Sequence, residues 1–175
     1  EAIITDVMEF ELAMAQADKA GLPDRARWLE AAIALYRGEL LIGFHEPWIA
    51  PESERLAGRF VGAAQALADI LAEQGQTAES VSRLEHAIAL SPLLEAPYRQ
   101  LMGQYVSMDR PQAALEVYAE LKTALAQERG LEPSAATQEL ANELERPAMM
   151  PRATTRETYR PKRLTAPSPL PAGTV

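Results

Sequence analysis

Cysteine is missing from all 175 residues, which excludes disulfide bridges, thiolate nucleophiles and zinc sites built on sulfur. Histidine is nearly missing as well. His45 and His86 are far apart, and neither sits in an HExxH arrangement, so no metal centre is expected and His86 reads as a structural or solvated residue. The glycines form neither GxxxxGK[ST] nor GxGxxG, so no loop cradles a phosphate. Ser53 and Ser80 lack a recognisable base or nucleophile elbow. The carboxylate pairs Glu52/Glu54 and Glu143/Glu145 fall at helix ends, where the helix dipole or water accounts for them. The expectation is a protein that is not an enzyme and that carries no cofactor.

Long apolar runs are missing too. No stretch approaches the roughly 18 apolar residues of a membrane span, and the N-terminus EAIITDVMEF lacks the basic-then-apolar plan of a secretory signal. The expected setting is soluble and cytoplasmic. The first residue is not Met, as expected of a chain with further sequence upstream.

What is present divides at residue 146. Residues 1–146 hold 12 Lys and Arg against 24 Asp and Glu, whereas 147–175 hold 5 against 1. Nucleic-acid binding relies on Lys and Arg displacing counterions from phosphates. The acidic body is therefore not expected to bind DNA. Six of the thirteen prolines lie from Pro147 onward, with few large apolar groups, so 147–175 reads as a disordered linker. Its basic residues, Arg152, Arg156, Arg160, Lys162 and Arg163, read as solvated rather than as a polyanion contact.

Over 1–146 the apolar residues recur at helical spacing and strand-like alternation is almost absent, predicting an all-α body of about seven helices. Asp24 is placed to cap a helix reaching Gly38, Pro51 to open one ending near Gly75, and Thr77 to cap one ending near Leu90. Pro97 suits a first turn, Pro111 and Gly130 bracket another helix, and Ser134 is placed to cap a last one reaching Glu145. Connections this short make consecutive helices antiparallel hairpins.

A shift of 34 residues lays Leu67 on Leu101, Leu71 on Tyr105, Val81 on Leu115 and Leu84 on Tyr118. That is the tetratricopeptide period, and YRQLMGQY at 98–105 resembles its W-x₂-L-G-x₂-Y pattern. Met102 departs from it, standing where a small residue is preferred and where Ala68 stands one repeat earlier. Two repeats are expected, about 61–94 and 95–128, and the long second helix of the latter should meet a capping helix carrying Leu140 and Leu144.

The front segment, with Trp28, Tyr36, Phe44 and Trp48, does not follow the period. Phe44 and Trp48, straddling His45, Glu46 and Pro47, are expected foremost to plug a hydrophobic gap; docking a partner is the alternative. In the repeat register Gln65, Asp69, Glu73, Arg99 and Ser107 point into the groove between helix pairs. With Phe44 and Trp48 they form the candidate interaction surface.

The strings YRGELLIGFHEPWIAPESERL at 36–56 and AALEVYAELKTALAQERGLEPSAATQEL at 113–140, with the opening TDVMEFELAMAQA, resemble the bacterial transcriptional activator domain of Streptomyces antibiotic regulatory protein-type regulators. The resemblance spans about 1–146. It implies a tetratricopeptide-like domain that follows a winged-helix DNA-binding domain, absent from this chain, and serves dimerisation and activation. The implied partners are proteins: a second copy, neighbouring regulator domains, and RNA polymerase for the full-length protein. A second implied reading is a regulatory segment of a multidomain signalling ATPase or nucleotide cyclase, with a Pro-rich segment like LTAPSPLPAGTV leading into the nucleotide-binding part.

Overall fold

A computed structural model describes residues 5–146 apart from 39, 42 and 45. The predicted Pro-rich tail at 147–175, its basic cluster and His45 lie outside the described residues. Among those described there are seven helices and no strand: α1 (Asp6–Lys19), α2 (Asp24–Leu35), α3 (Ile49–Glu73), α4 (Thr77–Leu90), α5 (Glu95–Ser107), α6 (Pro111–Arg129) and α7 (Ala135–Glu145). None is long and apolar enough to cross a membrane.

The helix ends follow local chemistry. Thr5 Oγ1 accepts the Met8 N–H at 3.2 Å, Asp6 and Glu9 lie in the first turn of α1, and Lys19 lies in its last. Pro111 begins α6, and Gly130 ends it in the left-handed region at φ 63°. Other predicted starts move by a residue or two. Pro23, not Asp24, precedes α2, and Gln76, not Thr77, precedes α4. α3 begins at Ile49, two residues before Pro51, because Ile49 opens a buried stripe that continues through Leu56 and Phe60.

Sequence neighbours pair as hairpins, α1 with α2, α3 with α4 and α5 with α6, and α7 lies against α5 and α6. The 34-residue period extends to the backbone. In the α3–α4 turn Gly75 has φ 77° and the Gln76 N–H donates to Leu71 O at 2.8 Å; in the α5–α6 turn Asp109 has φ 58° and Arg110 N–H donates to Tyr105 O at 2.8 Å. Both turns satisfy the last carbonyls of the preceding helix in the same way.

Two apolar clusters result. The front one joins Phe10 and Met14 of α1, Leu29 and Ile33 of α2, and Leu56, Phe60 and Leu67 of α3. Tyr36 closes it by stacking on Phe60, centroids 4.2 Å apart, and His86 meets the other side of Phe60 edge-on at 6.1 Å. The rear one joins Leu84, Tyr98, Leu101, Met102, Leu121 and Leu125, and α7 completes it with Ala141, Leu140 and Leu144. Met102 is fully buried, and Ala68 and Ala114 are the small residues in the same cluster that make room for it. The extended α6 and the final helix thus cap the stack. Between the hairpins, Ser80 Oγ donates to Ala68 O at 2.6 Å and receives Gln104 Nε2 at 2.5 Å, tying α3, α4 and α5 together.

Candidate protein interaction surface

The segment between α2 and α3 is irregular for a physical reason: it carries Gly38 at φ 119° and Gly43 at φ 90°, conformations that β-carbons disfavour. Leu41, at φ 49°, adopts the left-handed region without being glycine, a sign of local strain. A few bonds hold this connector. Leu40 N–H donates to Ser53 Oγ at 3.2 Å, Phe44 N–H to Leu41 O at 3.1 Å, and Ile49 N–H to Glu46 O at 3.0 Å.

The predicted gap-plugging role of the bulky residues here is corrected. Phe44 is 66% exposed and Trp48 55%, while Trp28 is partly exposed. Trp48 falls one position off the buried Ile49–Leu56–Phe60 stripe, and Tyr36 is the aromatic that packs on the front core. Phe44 instead borders a groove of about 520 Å³ that Leu40, Pro47, Ile49 and Arg129 also line. Of the four front aromatics, only Tyr36 turns inward to stack.

The repeat-register residues separate into three situations. Gln65 and Asp69 meet at the α3–α5 contact, where Gln100 Nε2 donates to Asp69 Oδ1 at 2.6 Å and to Gln65 O at 3.2 Å, and Gln65 Nε2 donates to Ala96 O at 3.3 Å. Arg99 turns toward α7, donating to Thr137 Oγ1 at 3.1 Å and lying 3.6 Å from the Glu95 carboxylate. Glu73 is exposed and makes no hydrogen bond or ion pair with the described residues, and Ser107 Oγ donates to Gln104 O of its own helix at 2.7 Å. The structure therefore does not gather all five into one cluster.

Sequence reasoning missed the residues that pair with them. Glu95 is the centre of a polar clamp: it accepts from Ser134 N–H at 2.9 Å, Ser134 Oγ at 2.6 Å and Thr137 Oγ1 at 2.5 Å, fixing the start of α7. Burial acts to raise its carboxyl. Hydrogen bonds from Ser134 and Thr137, with the nearby Arg99 charge, outweigh that and hold it below the usual value. Tyr98 is another perturbed group of the rear: desolvation, reinforced by Glu120, pushes its phenol up to about 12, and its hydroxyl donates to Pro92 O at 3.1 Å. Both groups tie the fold together, Glu95 at the start of α7 and Tyr98 at the Pro92 carbonyl before α5. Among the described residues no group of three or more His, Asp or Glu is placed to hold a metal.

Comparisons with known proteins agree with this architecture. The model of the family described as "Bacterial transcriptional activator domain" matches residues 5–145. The regulatory protein AfsR of Streptomyces coelicolor is 34% identical over 112 residues, which cover 64% of this chain and 11% of AfsR. The transcriptional regulatory protein MoaR1 of Mycobacterium bovis is 28% identical over 117 residues, covering 66% of this chain and 38% of MoaR1. Mycobacterium tuberculosis EmbR, solved in complex with a low affinity phosphopeptide, superposes with a TM-score of 0.56 at 26% identity, over 79% of this chain and 37% of EmbR. The chain thus corresponds to well under half of each of these proteins.

Proposed function

The chain belongs to the bacterial transcriptional activator domain family, and from that premise we propose that it is a protein–protein interaction and self-association module of a cytoplasmic transcriptional regulator. In this reading it couples a winged-helix DNA-binding domain, encoded outside this chain, to other domains. No catalytic step is assigned to it. Residues 1–146 form the module and 147–175 a linker. The observation that carries the reading is the pair Phe44 and Trp48, held largely in solvent, with Phe44 lining a groove whose walls mix apolar residues with Glu46, Glu54 and Arg129. Large aromatics so displayed have their payoff in a complex, where they act as anchors. Of the polar candidates, Gln65, Asp69, Arg99 and Ser107 are hydrogen-bonded within the fold, and Glu73 is the member whose charge is free to meet a partner.

The test is calorimetric titration of this 175-residue chain with the winged-helix domain of the same regulator. Phe44→Ala and Trp48→Ala should each weaken association at least about tenfold while leaving the thermal midpoint in place. Absence of association, or association indifferent to both changes, overturns this reading of the surface.

A further inference from the structure

Side chains of α4, α5 and α6 enclose a cleft of about 330 Å³ that shares no lining residue with the Phe44 groove. Buried Ile88, Leu101 and Val117 give it an apolar floor. Its charged walls are Glu85, Glu116 and Glu120, all exposed, and one cation, Arg110. The Arg110 guanidinium stands 5.2 Å from the centre of the Tyr105 ring. Neither it nor any of the three glutamates makes an ion pair with the described residues. The other Lys and Arg side chains of these helices are engaged elsewhere. Arg83 pairs with Glu30 at 3.8 Å, Arg99 faces α7, Lys122 pairs with Glu132 at 3.5 Å, and Arg129 lines the Phe44 groove. Three carboxylates thus share the cleft with a single guanidinium.

Folding does not call for this set. Glu116 and Glu120 stand four positions apart on one helix, a like-charge spacing that costs helix stability. One repeat earlier, the positions of Tyr105, Arg110, Glu116 and Glu120 hold Leu71, Gln76, Ser82 and His86, so the stack forms at that register without the carboxylates. The charges of the cleft act at one place: burial raises the Tyr105 phenol first, Glu85 and Glu116 raise it further, and Arg110 opposes them. A matching occupant has an aliphatic stem for the apolar floor and a cationic head for the carboxylates. Arginine supplies both, and its planar fork of donors serves more than one carboxylate at once. An anionic or purely apolar partner would leave the carboxylates unmatched.

We propose that this cleft binds an arginine-bearing basic segment of a partner protein, with Glu85, Glu116 and Glu120 receiving the guanidinium and Ile88 and Val117 its stem. The test is a nuclear magnetic resonance titration of the isotope-labelled 175-residue chain with the acetylated, amidated peptide Gly-Ser-Arg-Leu-Arg-Ser-Gly. Amide shifts should concentrate at Glu85, Ile88, Tyr105, Glu116 and Val117. Glu116→Gln combined with Glu120→Gln should weaken binding at least about fivefold without lowering the thermal midpoint, since the pair removed is one of like charges. Arg110→Gln, which copies Gln76 of the earlier repeat, removes the resident cation and should tighten binding about threefold. Shifts spread evenly over the acidic surface, or binding indifferent to these variants, overturn the cleft as a site. Equal shifts at the same residues from spermidine at the same concentration would make it a site for simple cations and overturn the protein partner. Each of these failures leaves the Phe44 surface standing.

Discussion

The front and rear of this stack solve the same packing problem with different means. In the rear, two hairpins repeat at 34 residues down to the hydrogen bonds of their turns, and α7 seals the last apolar face through the Glu95 clamp. In the front, α1 and α2 pack on the first half of α3 through an aromatic stack, and a strained connector leaves Phe44 and Trp48 in solvent. Regularity accompanies closure, and irregularity accompanies exposed apolar surface. Folding alone explains the first; the second is the surface that the proposed interaction role would use.

The largest test of this contrast is Phe60→Ala. Phe60 is fully buried and joins Tyr36 to His86, so its loss should cost about 3–5 kcal/mol in urea unfolding. Because α3 contributes to both clusters, unfolding should remain one transition; two separate transitions would show the front and rear to be independent. Next, Glu95→Gln should cost about 1–3 kcal/mol at neutral pH, with loss of hydrogen-exchange protection concentrated in α7. The folded-state carboxyl lies below its ordinary value, so its contribution is present above that value and is lost as pH falls through the lowered one. The variant should therefore show a shallower loss of stability on acidification below about pH 4. Equal acid sensitivity in both proteins would remove Glu95 from its role as the clamp.

A smaller effect probes the repeated turns. Gly75→Ala places a β-carbon at φ 77° and should cost about 1–2 kcal/mol by thermal unfolding, whereas Asp109→Gly at φ 58° should be neutral or mildly stabilising. A stabilising Gly75→Ala or a destabilising Asp109→Gly would break the equivalence of the two turns. The smallest is Trp48→Ala, which should shift stability by less than about 0.5 kcal/mol; a loss of several kcal/mol would return Trp48 to the core.

Much of the rear was legible beforehand because periodicity speaks directly about packing. Leu67, Leu84, Leu101 and Tyr98 announce their burial by spacing, and Pro111, Gly130 and Ser134 mark helix ends through local backbone chemistry. Phe44 and Trp48 lie in a segment with no period, so their composition gave no direction, and their exposure follows from an irregular connector bent by Gly38, Leu41 and Gly43. The polar partners were hidden for another reason. Glu95 meets Thr137 across 42 residues and Gln100 meets Asp69 across 31, pairings set by how hairpins stack rather than by any neighbouring residue. Gln65 and Asp69 lie at the α3–α5 contact and Arg99 faces α7, and spacing does not tell which of the register residues gives its hydrogen bonds to the fold.

α3 has a mechanical meaning. At 25 residues it is a rod about 37 Å long. Its buried residues from Leu56 to Ile70 belong to the front cluster and Ala68 to the rear one, and no proline lies beyond its first turn. The helix is unbroken from Ile49 to Glu73, across Gly58 and Gly62. A force applied at Trp48, immediately before its tip, is carried along its axis toward the Gly75 turn as a displacement of the whole lever.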